Sequence, residues 1–225
     1  MHPGTQLSLL SPAALSGKPA RPTATVPGFG LLFLDGDRAL LDAPAVSVVG
    51  SRRASHAGRA LAADVAVELV RRGFVVMSGL AAGIDATAHE CAMHAGGRTI
   101  AVIGTSLDQA YPRHHASLQE RIAIEHLVVS PFESGTPMAR WHFPKRNRLM
   151  AQLARAMVLV EAGATSGTRH QVEECLSLGK PVFIRASLLR DGIEWLNTAY
   201  LRARVGEWRD ASELAERVEK SLAVR

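Results

Sequence analysis

Short apolar runs that alternate with helical patterns constrain the fold of this chain more than any other feature. The runs cover residues 45–49, 75–77, 99–103, 127–129, 157–160 and 181–184. They are uninterrupted, as in strands that helices cover on both faces, and strands that alternate with helices form parallel sheets. The pattern therefore predicts an α/β fold with a doubly wound, mostly parallel sheet in three α/β/α layers.

Apolar residues between the runs recur at helical spacing. Leu61, Val65 and Leu69 lie four positions apart, which places them on one face of a helix. Residues 211–224 repeat this spacing with charged residues on the other face. The sequence therefore predicts helices that pack on the sheet, including a final packing helix over 211–224.

Composition divides the chain in two. Residues 1–27 are rich in Pro, Ala, Ser, Thr and Gly and have no periodicity that could bury a face, which is typical of a flexible segment. We expect a flexible N-terminal lead-in over residues 1–27. Residues 28–225 are expected to form a single domain that ends in the C-terminal helix.

The net charge favours an anionic partner. Lysine and arginine together number 26 against 21 aspartate and glutamate residues, which gives a formal net charge of +5. A basic chain attracts polyanions, among which nucleic acid is the most common in cells. The excess is modest, so the position of the cations is a better indication of an anionic partner than their number.

Cysteine content and hydropathy indicate a cytoplasmic protein without a membrane segment. Cys91 and Cys175 are the only cysteines, too few for a disulfide framework or a four-cysteine zinc site. No apolar run approaches the roughly 20 residues that span a bilayer. The N-terminus also lacks a basic segment followed by a continuous apolar stretch, so it does not resemble a signal peptide.

The sequence predicts no cofactor and no metal site. The loop Ser78–Asp85 has two glycines four apart but lacks the middle glycine of the dinucleotide fingerprint, and it carries no Walker lysine. His89 and His94 lie five apart, whereas the helical zinc motif needs a spacing of four. His114 and His115 have no clustered carboxylate or cysteine beside them.

Loops at the carboxyl ends of the predicted strands carry residue types that bind phosphate. Ligands of open parallel sheets bind at this edge, where helix N-termini offer free N–H groups. Gly50–Arg53 follows the first run and combines a glycine, a hydroxyl and two arginines. Ser78–Asp85 follows the second run, and Asp85 is the expected N-cap of the next helix. Glu161–Arg169 brings hydroxyl and amide groups to the start of another helix.

The stretch Phe143–Arg148 is the strongest basic element. It places three cations and an amide immediately before a helical pattern, where cations and a helix N-terminus act together on phosphate. Trp141 and Phe143 can stack on bases or belong to the core. We expect Arg146→Ala and Arg148→Ala to weaken the binding of all nucleic-acid sequences alike and to flatten its salt dependence.

Three motifs together resemble the DNA-processing protein A (DprA, or Smf) family. They are VSVVGSRRAS, VVMSGLAAGIDATAHECAMHAGGRTIAVIGTSLDQAYP and FPKRNRLMAQLARAMVLVEAGATSGT. The resemblance runs from about Leu31 to Pro181 and implies an extended Rossmann-like fold in a minimal version of the family. It also implies a homodimer that binds single-stranded DNA and passes incoming DNA to the RecA recombinase in natural transformation.

The resemblance and the strand-end loops together define a predicted phosphate-binding site. Its residues are Gly50, Ser51, Arg52, Arg53, Ser78, Gly79, Gly83, Lys145, Arg146, Asn147, Arg148, Ser166, Gly167 and Thr168. We expect the arginines and the lysine to dominate affinity, because phosphate neutralisation supplies most sequence-independent binding.

An alternative function comes from fold relatives of this family that bind nucleotides or cleave the base from a nucleoside monophosphate. Their Gly-Gly-x-Gly-Thr-x-x-Glu motif resembles the stretch Gly163–Thr168, but Gln171 holds the glutamate position here. Glu161 is the remaining candidate carboxylate at this loop. Whether the chain is an enzyme stays open, and we assign no catalytic residue. A third hypothesis is a protein-interaction role in which the DNA site has decayed.

Overall fold

The computed structural model describes residues 8–9, 23–164 and 167–223. Its strands are, in chain order, β1 (Ser8–Leu9), β2 (Thr23–Val26), β3 (Gly30–Gly36), β4 (Ala45–Gly50), β5 (Val75–Ser78), β6 (Thr99–Val102), β7 (Leu127–Ser130), β8 (Ala156–Glu161), β9 (Val182–Arg185) and β10 (Gly206–Trp208). Its α-helices are α1 (His56–Arg71), α2 (Ile84–His94), α3 (Ala116–Glu125), α4 (His142–Leu153), α5 (Thr168–Ser177), α6 (Ala186–Arg190), α7 (Ala199–Arg202) and α8 (Ala211–Ala223).

These strands form one sheet in the order β1-β2-β3-β7-β6-β5-β4-β8-β9-β10. The strands from β7 to β10 in this order run parallel, and β1–β3 add an antiparallel edge beside β7. Each of the six predicted runs matches one of the strands β4–β9 to within one residue at either end, which confirms the mostly parallel sheet. From β4 the chain adds β5, β6 and β7 in turn toward one edge of the sheet, and then adds β8, β9 and β10 on the other side of β4. The order of the strands therefore reverses between β4 and β8.

Helices cover both faces of the sheet, which confirms the three-layer doubly wound arrangement. Val46 and Val48 of β4 pack in the cluster that holds α1, α2 and α8. Ala45 and Val49 face the opposite way, into the cluster with α4 and α5. Every residue of β4 before its last is buried, and this explains why the strands are apolar without interruption.

The predicted helical faces are the buried faces. Val65 and Leu69 of α1 are fully buried, and Leu61 packs against the same cluster at its margin. Leu214 and Val218 of α8 are also fully buried. Each of these leucine and valine side chains contributes about 1.5–3 kcal/mol by leaving water, which holds both helices on the sheet.

Most of the predicted lead-in lies outside the described residues. Thr23–Val26, at its end, form β2 and pair with β3, with Ala24 opposite Leu32. Ala24 and Val26 are buried in the same cluster as Leu32, because alternate residues of a strand point to one face. The chain thus joins the sheet before residue 28. Among the helices of the described ranges, none has the length and apolar character of a membrane span.

A histidine lies uncharged in the core beside the sheet. The Nδ1 of His89 lies 2.6 Å from Thr99 Oγ1, and that hydroxyl donates to the carbonyl of Val76 at 2.7 Å. The hydroxyl proton is therefore used, and His89 Nδ1 is the donor to Thr99. His89 is fully buried, and this burial lowers its pKa to about 3.

We expect His89 to make the protein lose stability in mild acid. Its pKa is about 3 in the fold and about 6.5 in the unfolded chain. The unfolded chain therefore gains a proton below pH 6.5 that the native state does not take up. At pH 5 this difference costs about 2 kcal/mol of stability that is present at pH 7.5.

Urea unfolding of the native protein and of His89→Gln at pH 7.5 and pH 5 measures this effect. We compare the pH-dependent loss within each protein, since the substitution itself also changes stability. An equal loss in both proteins would show that another group titrates.

Candidate functional site

The carboxyl ends of β4 and β8 meet where the strand order reverses. Gly50, the last residue of β4, is paired with Glu161, the last residue of β8. Crevices at such positions are where open α/β sheets bind ligands. The predicted loops Gly50–Arg53 and Glu161–Arg169 therefore begin side by side.

Glu161 fixes Ser55, which lies between the first of these loops and α1. Its carboxylate accepts hydrogen bonds from the Ser55 backbone N–H at 3.0 Å and from the Ser55 hydroxyl at 2.5 Å. Ser55 is in turn the N-cap of α1 and accepts from the Gly58 N–H. A β-carbon at position 58 would lie 2.1 Å from Glu161 Oε2, so the glycine makes room for the carboxylate. The one candidate carboxylate at this loop therefore holds the start of α1.

The arginines of the first loop are exposed to solvent, and the loop backbone is hydrogen-bonded to the start of α2. The Ser51 carbonyl accepts from the Ile84 N–H at 3.2 Å, which ties the loop to α2. Gly83 has a φ of +80°, and a β-carbon there would lie 2.3 Å from the Ser51 carbonyl oxygen. Arg52 and Arg53 are exposed. The loop thus offers two cations at the edge of the sheet.

The second loop is closed to solvent at its start. Ser78 is fully buried, and its hydroxyl donates to the Val48 carbonyl at 2.6 Å. The guanidinium of Arg146 covers Gly79 so closely that a β-carbon there would lie 1.2 Å from Nη1. Ser78 and Gly79, which the sequence predicts to contact phosphate, are therefore both buried.

Arg146 lies under the second loop, although the sequence predicts it at the surface with its neighbours. It is 4% exposed, and its Nη1 lies 3.9 Å from Oδ2 of the buried Asp85. Burial raises the pKa of Asp85, and the positive charge of Arg146 opposes that rise. The two charges compensate each other in the interior.

The predicted N-cap of α2 is wrong. Gly83 is the N-cap and α2 begins at Ile84, so Asp85 lies inside the first turn. Its carboxylate lies 3.4 Å from the Ala81 N–H in the preceding loop. A buried carboxylate is tolerated in the first turn of α2 because the positive charge of Arg146 neutralises it. A carboxylate at an N-cap would not need a cationic partner.

Aromatic and cationic side chains meet at the first turn of α4 and form what we call the ledge, defined as Arg52, Tyr111, Trp141, Phe143 and Lys145. Arg52 lies 5.4 Å from the centre of the Phe143 ring, and the Tyr111 ring lies 5.2 Å from that ring. Phe143 also packs on Gly104, where a β-carbon would lie 2.8 Å from the ring. The ledge therefore joins the loops after β4 and β6 to α4.

Lys145 extends the ledge along α4. Its ammonium lies 5.9 Å from the Trp141 ring centre and 5.2 Å from that of Phe132. Phe132 is buried and stacks on His142 with ring centres 3.7 Å apart. This packing fixes the part of the ledge that Trp141 and Lys145 form. Trp141 is 60% exposed. A large ring beside a cation and open to solvent is the arrangement that stacks nucleic-acid bases.

The structure divides the predicted site residues by exposure. Exposed are Arg52, Arg53, Arg148 and Gly167; partly buried are Gly50, Ser51, Gly83, Lys145 and Asn147; buried are Ser78, Gly79, Arg146 and Thr168. Ser166 lies outside the described residues. Tyr111 was not predicted as a site residue, and the signal for it was only its place in the loop after β6, which is a strand-end loop like the others.

The family model for DNA recombination-mediator protein A matches residues 22–199 of this chain. DNA processing protein DprA of Streptococcus pneumoniae is 41% identical over 163 residues, which cover 72% of this chain and 57% of that protein. DprA of Bacillus subtilis is 34% identical over 154 residues, which cover 68% and 52%. The chain thus spans about half the length of these curated relatives.

Solved structures agree with the family model. The X-ray structure of DprA from Streptococcus pneumoniae matches with a TM-score of 0.76 and 36% identity, over 83% of this chain and 66% of that one. DprA from Helicobacter pylori, solved to explain its single-stranded DNA binding mode, matches with a TM-score of 0.76 and 26% identity over 96% and 97%. The family model covers most of the chain, and the fold and motifs agree with it, so this chain belongs to the DNA recombination-mediator protein A family.

Proposed function

We propose that this protein binds single-stranded DNA on the ledge and acts in DNA processing during natural transformation. One observation carries the proposal: two cations contact aromatic rings at one edge of the sheet, where Arg52, Tyr111 and Trp141 are exposed. Cations neutralise phosphates, and exposed rings stack on unpaired bases. A duplex hides the faces of its bases, so the rings favour a single strand.

The proposed phosphate contacts come from the cations at this edge. Arg52 and Lys145 belong to the ledge; Arg53 follows Arg52 in the chain, Arg148 lies three residues after Lys145 on α4, and both are exposed. Backbone amides and hydroxyls of the neighbouring loops orient the phosphates, and none of these contacts distinguishes one base from another. The protein therefore binds single strands irrespective of their sequence. The Helicobacter pylori relative, solved for its single-stranded DNA binding mode, supports this assignment.

The proposal includes a homodimer that passes the bound strand to the RecA recombinase, as the family resemblance implies. Light scattering at several protein concentrations tests the first part, with an expected mass of twice the 24.1 kDa of the chain. A mass that stays at that of one chain at every concentration contradicts the dimer. RecA filament formation on strands coated with this protein tests the second part.

Fluorescence anisotropy tests the binding itself. Labelled single-stranded and duplex oligonucleotides are titrated with the protein over a range of salt concentrations and in competition with mononucleotides. We expect tight, salt-sensitive binding that prefers the single strand. Saturable mononucleotide binding without DNA binding would instead favour a nucleotide sensor or hydrolase.

Trp141 gives the stacking proposal a direct optical test. Trp195 and Trp208 are buried, so Trp141 supplies the exposed tryptophan fluorescence. We expect an oligothymidylate to quench this component and Trp141→Phe to abolish the quenching, because the remaining indoles are out of reach. Trp141→Ala should weaken binding by about 1–3 kcal/mol, the usual value of one stacked base.

Trp141→Phe also serves as a control for binding. The substitution removes the fluorescence signal, but the phenyl ring keeps a stacking surface. Anisotropy should therefore report nearly native affinity for this variant. Unchanged quenching after the substitution would place the bound strand away from the ledge.

A further inference from the structure

His115 connects two strand-end loops beside the ledge. Its ring Nδ1 lies 2.9 Å from the carbonyl oxygen of Leu80. A carbonyl oxygen only accepts, so Nδ1 carries the proton and donates this hydrogen bond. Leu80 lies in the second loop, Ser78–Asp85, and His115 lies at the end of the loop after β6. The bond therefore ties the loop after β6 to the loop after β5.

Leu80 is a rigid anchor for this bond. Its φ is +60°, a left-handed conformation that is unfavourable for leucine. Its side chain is fully buried and packs in one cluster with Leu107 and Leu118. Such a conformation persists only where the surrounding structure enforces it. The packing around Leu80 therefore holds its carbonyl in one position, and His115 is bonded to a fixed point.

Tyr111 lies between two anchored positions of the loop after β6. Before it, the carbonyl of Gln109 accepts a hydrogen bond from the Thr105 hydroxyl at 2.7 Å. After it, the His115 N–H donates to the Pro112 carbonyl at 2.9 Å, which closes a single helical turn directly behind Tyr111. The bond from the His115 ring fixes this turn on the second loop and so limits where Tyr111 can move.

Tyr111 depends on this support more than the other rings of the ledge. Trp141 and Phe143 lie at the first turn of α4, whereas Tyr111 comes from a loop and is 42% exposed. Its ring packs at 5.2 Å from that of Phe143. We propose that His115 is a positioning residue of the ledge, which holds the Tyr111 ring where an unpaired base stacks on it.

This inference deepens the proposed function and rests on it, because it assigns a stacked base to Tyr111. A side chain that is fixed before binding loses less conformational entropy when the ligand arrives. His115 therefore strengthens the binding of a single strand without contacting the strand itself. Its effect should depend on the hydrogen-bond donor and on the presence of the Tyr111 ring, and on nothing else about the imidazole.

Fluorine NMR of the full chain labelled with meta-fluorotyrosine tests the positioning in the absence of DNA. Tyr111 and Tyr200 are the two tyrosines, and Tyr111→Phe assigns their signals. We expect His115→Leu to shift or broaden the Tyr111 signal and to leave the Tyr200 signal unchanged. His115→Asn should restore the native signal, because the amide Nδ2 takes the place of the ring Nδ1 and donates to the same carbonyl.

The affinity for a labelled oligothymidylate measures the consequence for binding. His115→Leu should weaken binding about threefold to tenfold, and His115→Asn should bind like the native protein although it lacks the imidazole. His94→Leu removes an exposed imidazole at the far end of α2 and serves as the matched control with native affinity. In a Tyr111→Ala background, His115→Leu should have no further effect, since it has no ring left to position.

The outcomes separate this inference from the proposed function. A native Tyr111 signal in His115→Leu, or an altered signal that His115→Asn does not restore, would overturn the inference. An undiminished effect of His115→Leu in the Tyr111→Ala background would also overturn it, because His115 would then contact the strand directly. The Tyr200 signal reports whether each variant is folded, and His115→Ala removes the same donor as a second variant. A native protein that binds no DNA contradicts the proposed function, while the fluorine spectra still decide whether His115 holds Tyr111.

Discussion

Arg146→Ala is expected to lower the free energy of unfolding by about 3–5 kcal/mol, the usual cost of removing one partner of a buried ion pair. The substitution leaves Asp85 buried without its neutralising charge and opens a cavity above Gly79. Urea or thermal unfolding measures the loss. Arg148→Ala, two positions further along α4 and exposed, should change stability by less than about 0.5 kcal/mol.

The pair of variants separates folding from DNA binding. Arg148→Ala should flatten the salt dependence of binding, as expected for a phosphate contact. Arg146→Ala should leave that slope nearly unchanged in the fraction that remains folded, because its guanidinium faces Asp85 and Gly79. A native stability of Arg146→Ala together with a reduced slope would show that Arg146 binds phosphate as the sequence predicts.

The double variant Arg52→Ala/Lys145→Ala is expected to weaken single-stranded DNA binding about a hundredfold at low salt. Each cation lost removes a charge-assisted contact of about 1.5 kcal/mol, or roughly tenfold in affinity. The slope of log affinity against log salt should fall by about 1.4, which corresponds to two phosphates on a single strand. Anisotropy over a range of salt concentrations measures both quantities.

Arg155→Ala is the matched control for this experiment. Arg155 is exposed and immediately precedes β8, so it lies at the amino edge of the sheet, opposite the ledge. It carries the same charge as Arg52, and its loss should leave the slope unchanged. If Arg155→Ala lowers the slope about half as much as the double variant does, net charge alone attracts the DNA and the ledge has no special role.

The sequence predicts the fold well where strands are buried on both faces. The runs that became β4–β9 stand out because both faces of these strands pack against helices, so almost every residue is apolar. β10 has no such signal, since only Trp208 of its three residues is buried. The sequence places β2 in the predicted lead-in, because its buried residues Ala24 and Val26 are set among Thr, Pro and Gly. Strands that are buried on one face only, and very short strands, form because they pair with neighbouring strands. Local composition therefore does not predict them.

The sequence predicts which loops lie at the carboxyl edge of the sheet, but not which of their residues are exposed. Parallel topology alone brings strand-end loops together, and the loops after β4, β5 and β8 lie at that edge. The cations of Phe143–Arg148 appear equivalent in the sequence, yet Arg146 precedes Leu149 by three residues and therefore shares its buried face. That spacing was available as a signal. The burial of Asp85 was not, because a buried acid is recognisable only once its cationic partner is located.

The contact between Gly79 and Arg146 restricts which residues can occur together at these two positions in related proteins. The two residues come from different segments of the chain, but a side chain at one position and a guanidinium at the other would occupy the same space. In relatives, a larger residue at position 79 is therefore expected only where position 146 has lost its arginine. An acid at position 85 should disappear in the same lineages, since it would otherwise lie buried without a counter-charge. These three positions are expected to co-vary as one unit.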